Sequence, residues 1–222
     1  MLRASLALFA DFRRALGTRR ALLALPGWLV RREFSVMVSE VVSDEAGPAA
    51  EPAAPALDWA PLTAADVPLL LALHPALDAA RVRGWLDAGH DCVLARPDGE
   101  PVHFRTYVTG RVDLPYLGRA LALDDGDVLL GQAYTTPALR RRGLLAVAAA
   151  WSERHVRERG HRRKVALIAR WNEAPRRAAE RAGMREIGRA GVLRFGPWRR
   201  PFARGAVSFD AAGDLRLPPR EG

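Results

Sequence analysis

Arg140, Arg141 and Arg142 stand side by side in this chain, followed by Gly143 and the apolar pair Leu144–Leu145 and preceded by Thr135-Thr136-Pro137. The residues after Gly143 have helical apolar spacing at Leu144, Val147 and Trp151, so the arginines sit at a helix mouth. A helix N-terminus already carries partial positive charge, and arginines beside it repel the dipole. An anion offsets that cost: unpaired N–H groups, the dipole and flanking guanidinium groups together hold a phosphate or pyrophosphate. Gly143 removes the Cβ that would keep the backbone away from it. The Gly-Lys-Ser/Thr ending of a Walker loop and the glycine spacing of a dinucleotide fingerprint are both absent.

The elements around this turn follow from hydrophobic spacing. DVLLGQAYT (127–135) reads as a strand, 143–159 as a helix, and KVALIAR (164–170) as a short buried strand parallel to 127–135 across that helix. NEAPRRAAERAG is a second helix, closed by Gly183, and one or two strands follow it. Upstream, a short strand ends near Pro61, Thr63 caps a helix, and a further helix covers 78–88. Pro97-Asp98-Gly99 marks a hairpin turn between two strands. Residues 109–126 read as loop with a short strand at 119–123, and 124–126 as a turn.

The division expected from composition is an N-terminal helix and strand appendage (1–42), an Ala/Pro/Glu linker or loop (43–56), a main domain (57–200) and a C-terminal tail (201–222). Residues 2–25 have helical spacing, with arginines interspersed. Packing on the domain, an oligomer contact such as a homodimer, and an amphipathic helix on an anionic membrane are all open to them. FSVMVSEVV (34–42) alternates as a strand.

The chain has 222 residues and is 49% hydrophobic, enough for a sizeable core. One cysteine, Cys92, forms no intrachain disulfide and suits a small buried strand residue. The five histidines show no zinc-type pairing, so no metal site is expected. A reducing, cytoplasmic setting fits. No apolar run reaches the roughly 18 residues of a bilayer span, and the first residues do not read as a signal peptide. Net charge is +9, and 18 of the 34 basic residues but 5 of the 25 acidic ones fall in 139–200, so the positive field is focused around the arginine turn. A nucleic-acid partner is not expected, because no stacking run or recognised motif accompanies the charge.

The arrangement strand–Pro137–x–x–Arg140–x–x–Gly143–helix resembles the acyl-CoA-binding segment of the GNAT acetyltransferase superfamily, whose pattern is Arg/Gln-x-x-Gly-x-Gly/Ala. The last position departs from that pattern, being Leu145. The second signature, an Asn opening the next helix and a glycine closing it, is matched by Asn172 and Gly183-Met184. The resemblance extends over about 57–198. It implies an α/β (α+β) GNAT fold, a mixed central sheet with helices on both faces, and acetyl-CoA or another acyl-CoA as cofactor. By resemblance, backbone groups of Ala133 and Thr135 pair with the pantetheine arm, the amides of Arg141 to Leu145 (through Arg142, Gly143 and Leu144) hold the pyrophosphate alongside Arg140, and Asn172 contacts the pantetheine region. Asn172 also reads as a plain helix cap.

The catalytic groups are less legible. The tyrosine that many members place seven residues after the Asn is Ala179 here. The strand carboxylate that serves others as base has one counterpart, Asp127, which reads as a turn residue. Tyr134 lies near the expected chemistry and is the catalytic candidate, with core packing as its other reading. The implied reaction is transfer of an acetyl or other short acyl group to a small-molecule amine. The Arg/Leu-rich start, the short strand and the Thr-x-Pro lead resemble a bacterial subgroup associated with polysaccharide and envelope synthesis. That suggests an amino sugar or envelope precursor as acceptor, met at the inner membrane face through residues 2–25. The alternative is a non-catalytic module of the same fold.

Overall fold

The computed structural model describes residues 29–41, 57–75, 77–136, 144–195 and 198–220. The helix expected over 2–25, the 43–56 linker and the turn Pro137–Gly143 lie outside the described residues.

The strands are β1 (Leu29–Glu40), β2 (Asp58–Pro61), β3 (Asp91–Arg96), β4 (His103–Val108), β5 (Arg111–Leu114), β6 (Arg119–Ala122), β7 (Asp127–Thr135), β8 (Arg163–Ala169), β9 (Arg185–Phe195), β10 (Trp198–Gly205), β11 (Ser208–Phe209) and β12 (Leu215–Arg216). The helices are α1 (Val67–Leu73), α2 (Ala79–Asp87), α3 (Leu144–Glu158) and α4 (Glu173–Arg181). The main sheet has the order β10-β9-β1-β8-β7-β4-β3-β2, and a small sheet the order β11-β12-β6-β5. Within the main sheet β7 and β8 are parallel and the other neighbours antiparallel. The expected parallel pair across a helix is therefore present.

Strand alternation sorts the core onto two faces. Cys92, Leu94 and Phe104 point to one face and pack with Leu70 of α1 and Val82 of α2. Val93, Tyr107 and Val128 point to the other, under Val156 and Trp151 of α3. Met37, Ala166 and Met184 continue that second layer beneath Ala179 of α4. On the α1/α2 side, Val36, Val38, Val165 and Val192 are covered by Leu114, Leu121 and Leu215 of the small sheet. The mixed sheet with helices on both faces is as expected. Cys92 is a buried strand residue, and burial pushes its thiol up to about 12, leaving it inert as a nucleophile.

Two boundaries need correction. The strand read at 34–42 and set in an N-terminal appendage is β1, an interior strand hydrogen-bonded to β8 on one edge and β9 on the other. Val36 and Met37 point to opposite faces and are both fully buried, the pattern of a strand covered on two sides. The Ala/Pro-rich stretch after it imitated a domain boundary. The tail set at 201–222 is also part of the fold. β10 extends the main sheet, and Leu215 and Leu217 are buried where β12 joins the small sheet. Strands of two residues, such as β11 and β12, are too short to produce a periodicity. β5 was likewise hidden in the stretch read as loop.

Candidate active site

The parallel pair β7/β8 is short. It joins Asp127 to Arg163, Val128 to Lys164 and Leu129 to Val165, and stops. Beyond that point β8 stays with β1, from Ala166 opposite Met37 to Ala169 opposite Phe34. β7 stays with β4, as far as Thr135 opposite His103. The two strands diverge into a wedge that opens at their C-terminal ends, where α/β sheets bind ligands. Along Leu130–Ala133 no strand pairs with the wedge-side edge of β7 among the described residues, and Gly131, Gln132 and Ala133 are exposed. Lys164, the chain's one lysine, is buried under α3 in an ion pair with Glu153 and ties the helix to β8 where the wedge begins.

A β-bulge shapes that edge. Opposite Arg105 stands Ala133 and opposite Tyr107 stands Leu130, so β7 carries one residue more than β4 over this interval. The buried Thr106 Oγ1 accepts a hydrogen bond from the Gln132 amide at 2.9 Å. A Cβ on Gly131 would lie 2.3 Å from the same oxygen, which explains the glycine. Neither Thr106 nor the bulge was anticipated from sequence. A glycine inside a strand pattern was the available signal.

Thr135, expected at the end of this edge, is fixed by a 2.7 Å hydrogen bond between its Oγ1 and His103 Nδ1. His103 is 2% exposed, and burial together with nearby Arg105 pushes its pKa down to about 3, so the imidazole is neutral. Trp59 meets its ring edge-on at 5.6 Å. His103 therefore anchors the strand end that leads into the arginine turn. Sequence reasoning had noticed this histidine only as unfit for zinc.

Tyr134, the catalytic candidate, points to the α1/α2 face. Its ring stacks on His74 at 4.3 Å with 9° between planes, and it packs against the cluster that includes Phe104. It is half-buried, so packing and a place at the wedge mouth coexist. Ala133 lies beside it on the exposed edge. Leu144 and Leu145 form the first turn of α3, their side chains outside the described residues, as are Arg140, Arg141, Arg142 and Gly143. Asn172 is the N-cap residue of α4, yet its side chain makes no capping bond, and its amide donates to the Ala169 carbonyl at 2.8 Å. The cap reading thus lacks its hydrogen bond.

Asp127 lies at the closed end of the wedge. It is 1% exposed and forked by Arg163 at 2.9 and 2.6 Å. Arg163 also donates to the Pro218 carbonyl at 2.7 Å, which ties the C-terminal segment to β7 and β8. Another polar cluster, in which Asp91 meets His155 and Arg159 at 2.7 Å each, joins β3 to α3 outside the wedge. No group of three or more metal-ligating side chains occurs among the described residues.

No family model and no curated protein matches the sequence. Among solved structures, a Drosophila protein has a TM-score of 0.54 at 18% identity, over 81% of this chain and 57% of its own. A functionally unknown conserved protein from Staphylococcus epidermidis also has a TM-score of 0.54, at 10% identity, over 81% of this chain and 68% of its own. A GCN5-related N-acetyltransferase from Kribbella flavida has a TM-score of 0.49 at 20% identity, over 82% of this chain and 65% of its own. The chain thus spans less than two thirds of the Drosophila and Kribbella structures. The likeness to the first two structures is one of fold.

Proposed function

We propose that the chain is a GNAT-type acyltransferase that moves an acetyl or other short acyl group from acyl-CoA to an amine of a small molecule. The observation that carries this reading is the wedge. One strand edge is left without a strand partner by the divergence of β7 from β8, bulged at Gly131–Gln132, and leads directly to an arginine-rich helix mouth. Backbone groups along such an edge suit the amides of a pantetheine arm. Gly131 and Ala133 leave the edge unobstructed. Ala133, Thr135 and Asn172 would hold that arm, and the amides of Arg141 to Leu145, with the Arg140 and Arg142 guanidinium groups, the pyrophosphate.

When bound, acyl-CoA supplies the thioester carbon that the amine attacks. The chain positions the two partners through the edge of β7 and the α3 mouth. The amine must be unprotonated to attack. Asp127 does not take that proton, because its carboxylate is buried in the Arg163 fork. Water can take it and return it to sulfur as the thioester C–S bond breaks, so that CoA leaves as the thiol, and Tyr134, at the wedge mouth, is the candidate to touch the reacting atoms. An amino sugar or related envelope precursor is the acceptor class that the sequence layout favours, met in the cytoplasm at the inner membrane face.

A second reading is a non-catalytic acyl-CoA- or partner-binding module. The locked Asp127, the packed Ala179 and the stacked Tyr134 favour it. A thiol-release assay with acetyl-CoA and a panel of amino sugars separates the two. Acceptor-dependent CoA release supports the transferase. Binding of acetyl-CoA without CoA release in the presence of any of the amines supports the module, and the absence of binding sinks both.

A further inference from the structure

β8 ends at Ala169 opposite Phe34, but its neighbours do not stop there. β1 extends back to Leu29, β9 runs on to Phe195, and β10 accompanies β9 from Trp198. Leu29–Glu33, Gly191–Phe195 and Trp198–Phe202 therefore form a three-stranded arm. It projects about 17 Å past the end of β8, on the side where the wedge opens.

The arm is strongly basic. No carboxylate occurs between Glu186 and Asp210, a stretch that contains Arg189, Arg194, Arg199, Arg200 and Arg204. Arg199 lies directly opposite Arg194 in the register, an arrangement that like-charge repulsion disfavours, whereas at the base of the arm Arg204 lies opposite Arg189, which is paired with Glu186 at 2.7 Å. Glu33, the carboxylate within the arm, is already engaged by Arg31 at 2.7 Å, Arg170 at 3.5 Å and Arg189 at 3.9 Å. Arg32, Arg199 and Arg200 are exposed.

Strand alternation puts Arg32, Arg194 and Arg199 on one face of the arm and Arg31, Arg200 and Trp198 on the other, and aromatic residues sit at both ends of the arm. Trp198 is half-exposed at the tip, opposite Phe195. Trp171 is 82% exposed at the base, next to Arg170, whose amide donates to the Glu33 carbonyl at 3.0 Å. Tryptophan flanked by arginine is the composition that favours a membrane–water interface, the ring at headgroup depth and the guanidinium groups among phosphates. Phe202 is not open to a stacked base. It lies against Gly191, where a Cβ would meet the ring at 2.5 Å, and its ring is flanked by Arg31 at 5.4 Å and Arg204 at 5.7 Å. The chain preceding Leu29 adds the same sign of charge, with Arg3, Arg13, Arg14, Arg19 and Arg20 against Asp11.

We infer that the β1/β9/β10 arm is a docking surface for an anionic lipid bilayer, which places the mouth of the wedge next to the headgroup layer. This goes beyond the transferase reading and does not depend on it. The test is sedimentation of the full chain with vesicles containing phosphatidylglycerol, compared with pure phosphatidylcholine vesicles and with single-stranded RNA. The chain should partition onto the anionic vesicles and be released by salt. Arg199→Glu with Arg200→Glu should lower that partition by about tenfold or more, and Trp171→Ala by several-fold, with acetyl-CoA affinity unchanged. Failure of the wild-type chain to bind anionic vesicles at low salt overturns the inference. So does full retention by the Arg199/Arg200 variant, or binding to RNA with vesicles ignored.

Discussion

Replacing Gly131 with alanine puts a Cβ 2.3 Å from Thr106 Oγ1, and the oxygen has little room to retreat because Thr106 is 3% exposed. Relieving the overlap costs about 1–3 kcal/mol in a packed interior. If Thr106 rotates away instead, the Gln132 amide loses its 2.9 Å acceptor at about 1–3 kcal/mol. By either route Gly131→Ala should destabilise the fold by roughly 1–3 kcal/mol and weaken acetyl-CoA binding by flattening the bulge. The informative experiment is a double-mutant cycle with Thr106→Ala. That variant alone loses the hydrogen bond, at about 1–3 kcal/mol. In its background the nearest remaining atoms to the new Cβ are the Thr106 carbonyl oxygen at 3.3 Å and Cβ at 3.6 Å. Alanine then fits, and its lower chain entropy offsets much of any residual cost. Urea unfolding of the four proteins should give a coupling of at least about 1 kcal/mol in favour of the double variant. Additivity within about 0.5 kcal/mol would refute the reasoning, because it would mean that Gly131 and Thr106 do not oppose one another across the bulge.

Other predictions follow from the same geometry. Asp127→Asn leaves the buried Arg163 with only the more distant, half-exposed Asp124 carboxylate at 3.8 Å and should cost up to about 3–5 kcal/mol in urea unfolding, whereas the acetyl-CoA affinity of the folded fraction should persist, since Asp127 lies at the closed end of the wedge. His103 is held near 3 against an ordinary 6.5, so between these values the unfolded chain binds the extra proton. Its contribution to stability is complete above about pH 6.5 and lost as pH falls toward 3, with a slope of up to about 1.4 kcal/mol per pH unit. His103→Gln should flatten that slope in pH-dependent urea unfolding. Arg140→Ala and Arg142→Ala should each weaken acetyl-CoA binding by roughly 1.5–3 kcal/mol in calorimetry, and Gly143→Val should abolish it by filling the anion's place.

Much of the frame around the site was legible because long periodic segments announce themselves. DVLLGQAYT, the helix after Gly143 and KVALIAR were read to within a residue or so of β7, α3 and β8. β1 was recognised as a strand but misplaced, because local alternation does not say which edges a strand pairs with. Its position between β8 and β9 is a long-range fact. The tail failed for the opposite reason: β11 and β12 are too short to carry a pattern, and they are held by Val207 and Leu215 against a core assembled elsewhere. Within the site, Thr135 and Tyr134 were placed by motif position, but their partners His103 and His74 come from other elements and could not be read from the motif. Asp127 reads as a turn residue from its neighbours Asp124 and Asp125, and its buried fork with Arg163 becomes visible only in the fold.

We propose that the wedge and the arginine-rich helix mouth together form an acyl-CoA site. Calorimetric titration of the full chain with acetyl-CoA, with CoA and ATP as comparisons, tests it most directly. Saturable, micromolar binding of acetyl-CoA and CoA is expected, with ATP much weaker because it lacks the pantetheine arm that would pair with β7. No heat with acetyl-CoA, or equal affinity for ATP, would contradict it.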